Sequence, residues 1–221
     1  MLNEKELLEI IEHVERGQSP VFFYDNDVDG FCSYVILRRY IGRGKGVAVK
    51  SHPDIDKQYA KKAQELGADY IFVLDRPMLG KEFVSEVNDL QLPIIWIDHH
   101  DMDEEKENYD NVFVYNPTRN KTKSAEPTTY LCYSATKRKE DMWVAMIGSI
   151  ADNFLPEFTE EFVKSYPEYW VKNIKKPFDA YYGTRIGRLL RALSFGLKDS
   201  ITHVVQLQNF MISAKNPSDV D

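Results

Sequence analysis

The chain has 221 residues with 28 lysines and arginines against 35 aspartates and glutamates, a formal net charge of −7, and 43% hydrophobic content. That balance describes an ordinary globular chain with ample core. It argues against a protein that coats nucleic acid non-specifically while leaving a nucleic-acid enzyme open, and no apolar run approaches the ~20 residues needed to cross a bilayer. Only two cysteines occur, Cys32 and Cys132, with neither metal-finger nor disulfide-framework spacing, and the charged N-terminus has no signal-peptide core. A reducing, cytoplasmic location is expected.

Taken in order, residues 3–16 predict an amphipathic helix with Leu7, Leu8, Ile10, Ile11 and Val14 on one side. Asn3 caps it with Glu6 completing a capping box, and Gly17 ends it. His13 reads as a surface or core-edge histidine. The apolar run 21–24 predicts a strand and leads directly into Asp25-Asn26-Asp27-Val28-Asp29-Gly30. A helix follows over 31–41, a short strand over 47–50 and a helix over 56–66. Residues 70–74 predict a strand ending in Asp75, 79–90 a helix, and 93–97 a strand ending in Asp98-His99-His100. A fifth strand is predicted at 112–115, before Asn116-Pro117.

Apolar strands alternating with helices predict an α/β fold: a parallel, doubly wound, Rossmann-like sheet of about five strands flanked by helices. From Ser124 onward the pattern is helical, with a helix begun by Glu126-Pro127, a buried helix over 141–151 leading to Asp152, amphipathic segments at 184–195 and 199–213, and a frayed tail at 216–221. Two stretches are strongly basic. Residues 116–139 set six lysines and arginines against Glu126, and 172–198 set seven against Asp179. Such segments in an acidic protein suit an anionic ligand, although solvated helix faces explain them as well.

In doubly wound sheets ligands sit outside the C-terminal ends of the strands, and three strands here end in Asp25, Asp75 and Asp98. The collected candidates are Asp25, Asp27, Asp29, Asp75, His99, His100 and Asp152. Packing gives no reason to gather so many like charges unless a cation sits among them. Carboxylates with one or two imidazoles and no thiolate suit Mn2+ or Mg2+, with Co2+, Zn2+ and Fe2+ compatible. Five carboxylates exceed the need of one ion, so two ions with a shared Asp are expected, the arrangement that serves phosphoester or phosphoanhydride hydrolysis. The calcium loop of an EF-hand also begins Asp-x-Asp-x-Asp-Gly, but it needs a glutamate six positions after the glycine. Here that position is Ile36.

The segments Asp25-Asn26-Asp27-Val28-Asp29-Gly30, Asp75, Asp98-His99-His100 and Gly148-Ser149-Ile150-Ala151-Asp152 resemble the four ordered motifs of the DHH phosphoesterase family. Aspartate opening the first motif is most similar to the RecJ-like branch, archaeal members included. The resemblance implies a catalytic domain over residues 1–155 and a helical extension over 156–221, part of that domain or packed on it. It implies one Mn2+ held by Asp27 and Asp75 with Asp25 ligating or orienting, and a second held by Asp29, Asp75, His99 and Asp152. His100 would contact the scissile phosphate and Asp98 would orient a ligand histidine.

The implied activity is hydrolysis of single-stranded DNA or RNA from one end by a two-metal-activated hydroxide. Short oligonucleotides, dinucleotides or pyrophosphate are the alternative substrates, and a non-catalytic scaffold working with replication proteins is the alternative of another class. The family's second, glycine-rich domain is not found before Asp221. For substrate contact the candidates are Arg185 and Arg188 on one predicted helix, with Arg76 and Arg119 as further arginines near the motifs. Phe178, Tyr181 and Tyr182 lie near Arg185, and their spacing reads as core.

Overall fold

Apolar residues on both faces of a strand must be covered from both sides, and the chain does so by winding helices over each face. In the computed structural model, which describes residues 1–51, 54–101 and 109–221, the regular elements run α1 (Glu4–Arg16), β1 (Pro20–Asp25), α2 (Val28–Ile41), β2 (Lys45–Val49), α3 (Lys57–Glu65), β3 (Tyr70–Leu74), α4 (Lys81–Asp89), β4 (Ile94–Ile97) and β5 (Val112–Tyr115). Helices follow: α5 (Thr128–Thr136), α6 (Met142–Ala151), α7 (Thr159–Ser165), α8 (Pro177–Gly183), α9 (Arg185–Gly196) and α10 (Ile201–Ser213).

All pairings are parallel, in the order β2-β1-β3-β4-β5. The alternation of side chains decides which core each residue joins. Val21, Phe23, Ile71, Val73, Ile94 and Trp96 pack with α3 and α4 on one face. Phe22, Tyr24, Phe72, Leu74, Ile95 and Ile97 pack with α1, α2, α5, α6 and the C-terminal helices on the other. Because β2 and β3 lie on opposite sides of β1, the chain reverses its direction of progress between β1 and β3. Doubly wound sheets open their ligand crevice at that point.

Three details differ from the sequence expectation, each for a local reason. Helix α2 begins at Val28 rather than residue 31, because the Asp27 carboxylate caps it by accepting from the Gly30 amide at 2.9 Å. That cap puts Asp29 inside the first turn. The edge strand β2 starts two residues earlier than predicted, since pairing with β1 sets its span, with Val21 opposite Lys45 and Asp25 opposite Val49.

The tail is not frayed. Asn216 caps a 3-10 turn over Pro217–Asp219, Pro217 is buried, and the Asp221 carboxylate pairs with both Arg185 and Arg188. His13 sits at the core edge as expected, its ring 4.6 Å from that of Phe113.

The C-terminal helices are tied to the sheet by apolar packing and by one buried ion cluster. Arg39 of α2 pairs with Asp141 at 2.7 Å, and its Nη1 donates to the carbonyls of Met211 and Ala214 at the end of α10. Asp141 is fully buried, and Arg138 lies 3.4 Å from its other oxygen.

Candidate metal centre

The β1–α2 turn must bring three acids to one point without crowding its own backbone. Gly30 makes this feasible: a Cβ there would sit 2.7 Å from both the amide nitrogen and the carbonyl oxygen of Asp25. Asp25 ends the strand, Asp27 caps the helix, and Asp29 is buried within the first turn. Asp75, next to β1 at the end of β3, is also buried and adopts a left-handed conformation with φ 59°. A non-glycine residue in that region carries strain, which clusters at functional positions.

These elements converge with the ends of β4 and α6. His99 Nε2 lies 3.4 Å from Asp75 Oδ1, 3.5 Å from Asp152 Oδ2 and 4.0 Å from Asp29 Oδ2. Three sets of potential ligand atoms each fall within 4.8 Å of one another: Asp25, Asp27 and Asp75; Asp29, His99 and Asp152; and Asp75, His99 and His100. Asp75 and His99 each belong to two of them. Of the pair, the Asp75 carboxylate has two oxygens to share between ions, whereas a neutral imidazole offers a single lone pair.

Asp29 is fixed by a device the sequence reading missed. Its two oxygens accept from the backbone amides of Thr128 and Thr129, each at 2.9 Å, at the N-terminus of α5. Helix N-termini favour an anion there. Thr128 also donates its hydroxyl to Asp75 at 3.2 Å. Gly148 of α6 lets α5 approach this closely, since a Cβ on it would collide with the Thr129 side chain. The visible signal was Pro127 followed by two threonines, a helix start whose amides face the first motif.

Asp98 serves His100 and not the more central His99. His100 Nδ1 donates to Asp98 Oδ1 at 2.7 Å, and the His100 amide donates to Asp98 Oδ2 at 3.1 Å. The Asp98 hydrogen bond holds the His100 imidazole above its ordinary pKa. Asn116 donates to Asp98 and to the His100 carbonyl, and Thr118 in turn bonds Asn116 Oδ1. Asn116 and Thr118 were legible only as a strand end followed by proline.

The arginines divide. Arg76 is turned inward, its Nη1 2.5 Å from Asp25 Oδ1 and its Nη2 donating to the Ser51 carbonyl. It therefore steadies Asp25 instead of facing solvent. Arg119 is exposed. Arg185 and Arg188 are both engaged by Asp221. Arg191, one turn on, lies over the rings of Tyr181 and Tyr182.

The residues fit divalent cations. Burial first, then neighbouring negative charge, pushes the carboxyls of Asp29 and Asp75 well above the ordinary carboxylate range, and Asp27 is also raised. Such a cluster is held apart from its preferred ionised state until positive charge joins it. His99 offers Nε2 to three carboxylates, while its Nδ1 is buried without a hydrogen-bond partner among the described residues. Hard oxygen donors with one or two imidazoles favour Mn2+ or Mg2+ over softer metals.

The model of the DHH family N-terminal domain matches residues 21–153, and the chain belongs to that family, whose members are metal-dependent phosphoesterases. The DHH domain of a member of a family of ribosomal proteins superposes with a TM-score of 0.66 at 15% identity, over 97% of this chain and 59% of that one. RecJ from Thermus thermophilus in complex with Mn2+ gives 0.56 at 14% identity, over 94% and 36%. An exonuclease RecJ bound to manganese gives 0.55 at 16% identity, over 95% and 65%. At these identities the likeness is one of fold, and the chain spans less than two-thirds of the length of each structure. No curated protein matches the chain. Among the described residues no helix is long and apolar enough to cross a membrane.

Proposed function

We propose that the chain is a Mn2+-dependent phosphodiesterase of the RecJ-like, archaeal type that removes nucleotides from an end of single-stranded DNA or RNA, with Mg2+ or Co2+ as substitutes. Residues 1–155 are then the catalytic domain and 156–221 its helical extension. The observation that carries this reading is that Asp75, the carboxylate common to Asp25–Asp27–Asp75 and Asp75–His99–His100, and His99, common to the latter and Asp29–His99–Asp152, link the three clusters into one centre. In this reading Asp27 and Asp75 hold one ion with Asp25 steadied by Arg76, and Asp29, Asp75, His99 and Asp152 hold the other.

A pair of divalent cations supplies charge neutralisation of a phosphate and a lowered pKa for water. The chain's own groups do the positioning. Asp98 takes the Nδ1 proton of His100 in a hydrogen bond, which leaves Nε2 as the donor to a non-bridging phosphate oxygen. The hydrogen bond to Asp98 raises the His100 pKa from its ordinary value, which favours the charged form of that donor. Asp29 cannot swing away, because two backbone amides grip it.

The test is hydrolysis of end-labelled single-stranded DNA and RNA, dinucleotides and pyrophosphate by wild type, Asp27→Ala and Asp29→Ala with Mn2+. The wild type should shorten the strands, and each variant should lose on the order of 10³-fold in rate. Turnover of dinucleotides or pyrophosphate alone would replace the strand substrate with a short one. No metal-dependent turnover of any of them would leave the scaffold reading.

A further inference from the structure

Phe178 and Tyr182 read as core in the sequence, yet they are among the most exposed large side chains of the molecule, at 65% and 61%. They are one turn apart on α8, with ring centroids 4.9 Å apart. The run continues inward. The Tyr182 ring lies 4.7 Å from that of Tyr181, and Tyr181 lines a cavity of about 130 Å3 with Leu190, Ser194, Asp27, Asp29 and Asp152. Three aromatic rings thus lead from solvent to the acids of the metal centre.

Arg191 of α9 fixes the inner end of the run. Its guanidinium lies 5.8 Å from the ring centres of both Tyr181 and Tyr182, and it donates to the Tyr181 carbonyl. Exposed aromatic rings held in place by an arginine are costly to leave in water when nothing covers them. Just before α8, Lys172, Lys175 and Lys176 are exposed, and the one acid between residues 172 and 198 is Asp179. The surroundings therefore favour a polyanion that carries flat apolar groups.

We infer that Phe178, Tyr182 and Tyr181 form a stacking platform for the bases of a single-stranded nucleic acid, with Lys172, Lys175 and Lys176 beside its phosphates, which delivers the strand to the metal centre. Stacking on aromatic rings with a basic surround is how single strands are held without sequence preference. Stacking on flat groups needs no hydrogen-bond readout of the bases. This inference rests on the nuclease reading, but it is tested by binding, which needs no hydrolysis.

The experiment is fluorescence anisotropy in EDTA with a labelled oligothymidylate and an abasic phosphodiester strand of equal length. The full chain, a Phe178→Ala/Tyr182→Ala double variant and Tyr182→Phe are compared. The wild type should bind the base-bearing strand about tenfold or more tightly than the abasic one, the double variant should lose that preference, and Tyr182→Phe should keep it. Since both rings are solvent-exposed, the variants should fold, and matching circular dichroism checks this.

Equal binding of the two strands by the wild type overturns the platform, and so does an unchanged preference in the double variant. A base preference in a chain that hydrolyses no diester keeps the platform and removes the nuclease reading. Hydrolysis without a base preference does the reverse.

Discussion

Asp75→Asn should cripple the proposed Mn2+-dependent hydrolysis while leaving the metal-free chain as stable as wild type or more so. The loss of activity follows from its position. Asp75 is the carboxylate common to two ligand clusters, so an amide there weakens the hold on both cations. A fall on the order of 10³-fold or more in kcat corresponds to the several kcal/mol that such centres contribute to the transition state.

The stability half follows from burial. Desolvation, then the charges of Asp27 and Asp98, raise the Asp75 carboxyl well above its ordinary pKa. A group whose pKa is raised on folding binds its proton more tightly in the native state, so it lowers stability as pH rises from the unfolded value toward the folded one. Asparagine removes that loss. It also tolerates the left-handed backbone at this position and can accept the Thr128 hydroxyl. Denaturant unfolding in EDTA reads the second effect and an initial-rate assay the first. A variant that lost activity and also unfolded readily would show that Asp75 is a structural residue.

The largest loss of stability is expected away from the site, at Arg39→Met. Arg39 pairs with fully buried Asp141 and holds the carbonyls of Met211 and Ala214. Removing it leaves the buried carboxylate with Arg138 alone, 3.4 Å from its other oxygen; losing the partner of a buried charge costs up to roughly 3–5 kcal/mol. Desolvation already raises the Asp141 carboxyl even with Arg39 beside it. The double variant Arg39→Met/Asp141→Leu should recover much of the loss, since replacing both partners of a buried pair by apolar groups is often nearly neutral. Urea unfolding midpoints for the two variants decide. A double variant no more stable than Arg39→Met would mean that the bonds to the α10 carbonyls, and not the charge pair, carry the effect.

The sheet and the acids were legible in the sequence because both depend on local pattern. Apolar runs of four or five residues ending in Asp25, Asp75 and Asp98, separated by helices, suffice to predict a parallel sheet with its ligand edge at those acids. What stayed hidden depends on contacts between distant residues. The seat of Asp29 on the Thr128 and Thr129 amides joins the first motif to a helix far along the chain. Arg76 reads as a substrate contact in the sequence, but β1 and β3 are neighbours, so Asp25 lies within its reach. The ordering of the tail required Asp221 to meet two arginines of α9. For Phe178, Tyr181 and Tyr182, the spacing of a core helix and of a surface platform is identical, and only the packing of α8 tells them apart.

In the proposed centre Asp27, Asp29, Asp75, His99 and Asp152 hold two divalent cations, with Asp25 steadied by Arg76 beside them. Titration calorimetry with Mn2+ reads this binding without any substrate. The wild type should bind two Mn2+ per chain, and because burial raises the Asp29 and Asp75 carboxyls, binding should release more protons as the pH is lowered. Affinity should weaken as the pH is lowered, since protons then compete for the same oxygens, and Asp75→Asn should lose tight binding of both ions. Absence of saturable Mn2+ binding, or binding that Asp75→Asn leaves unchanged, would contradict the account.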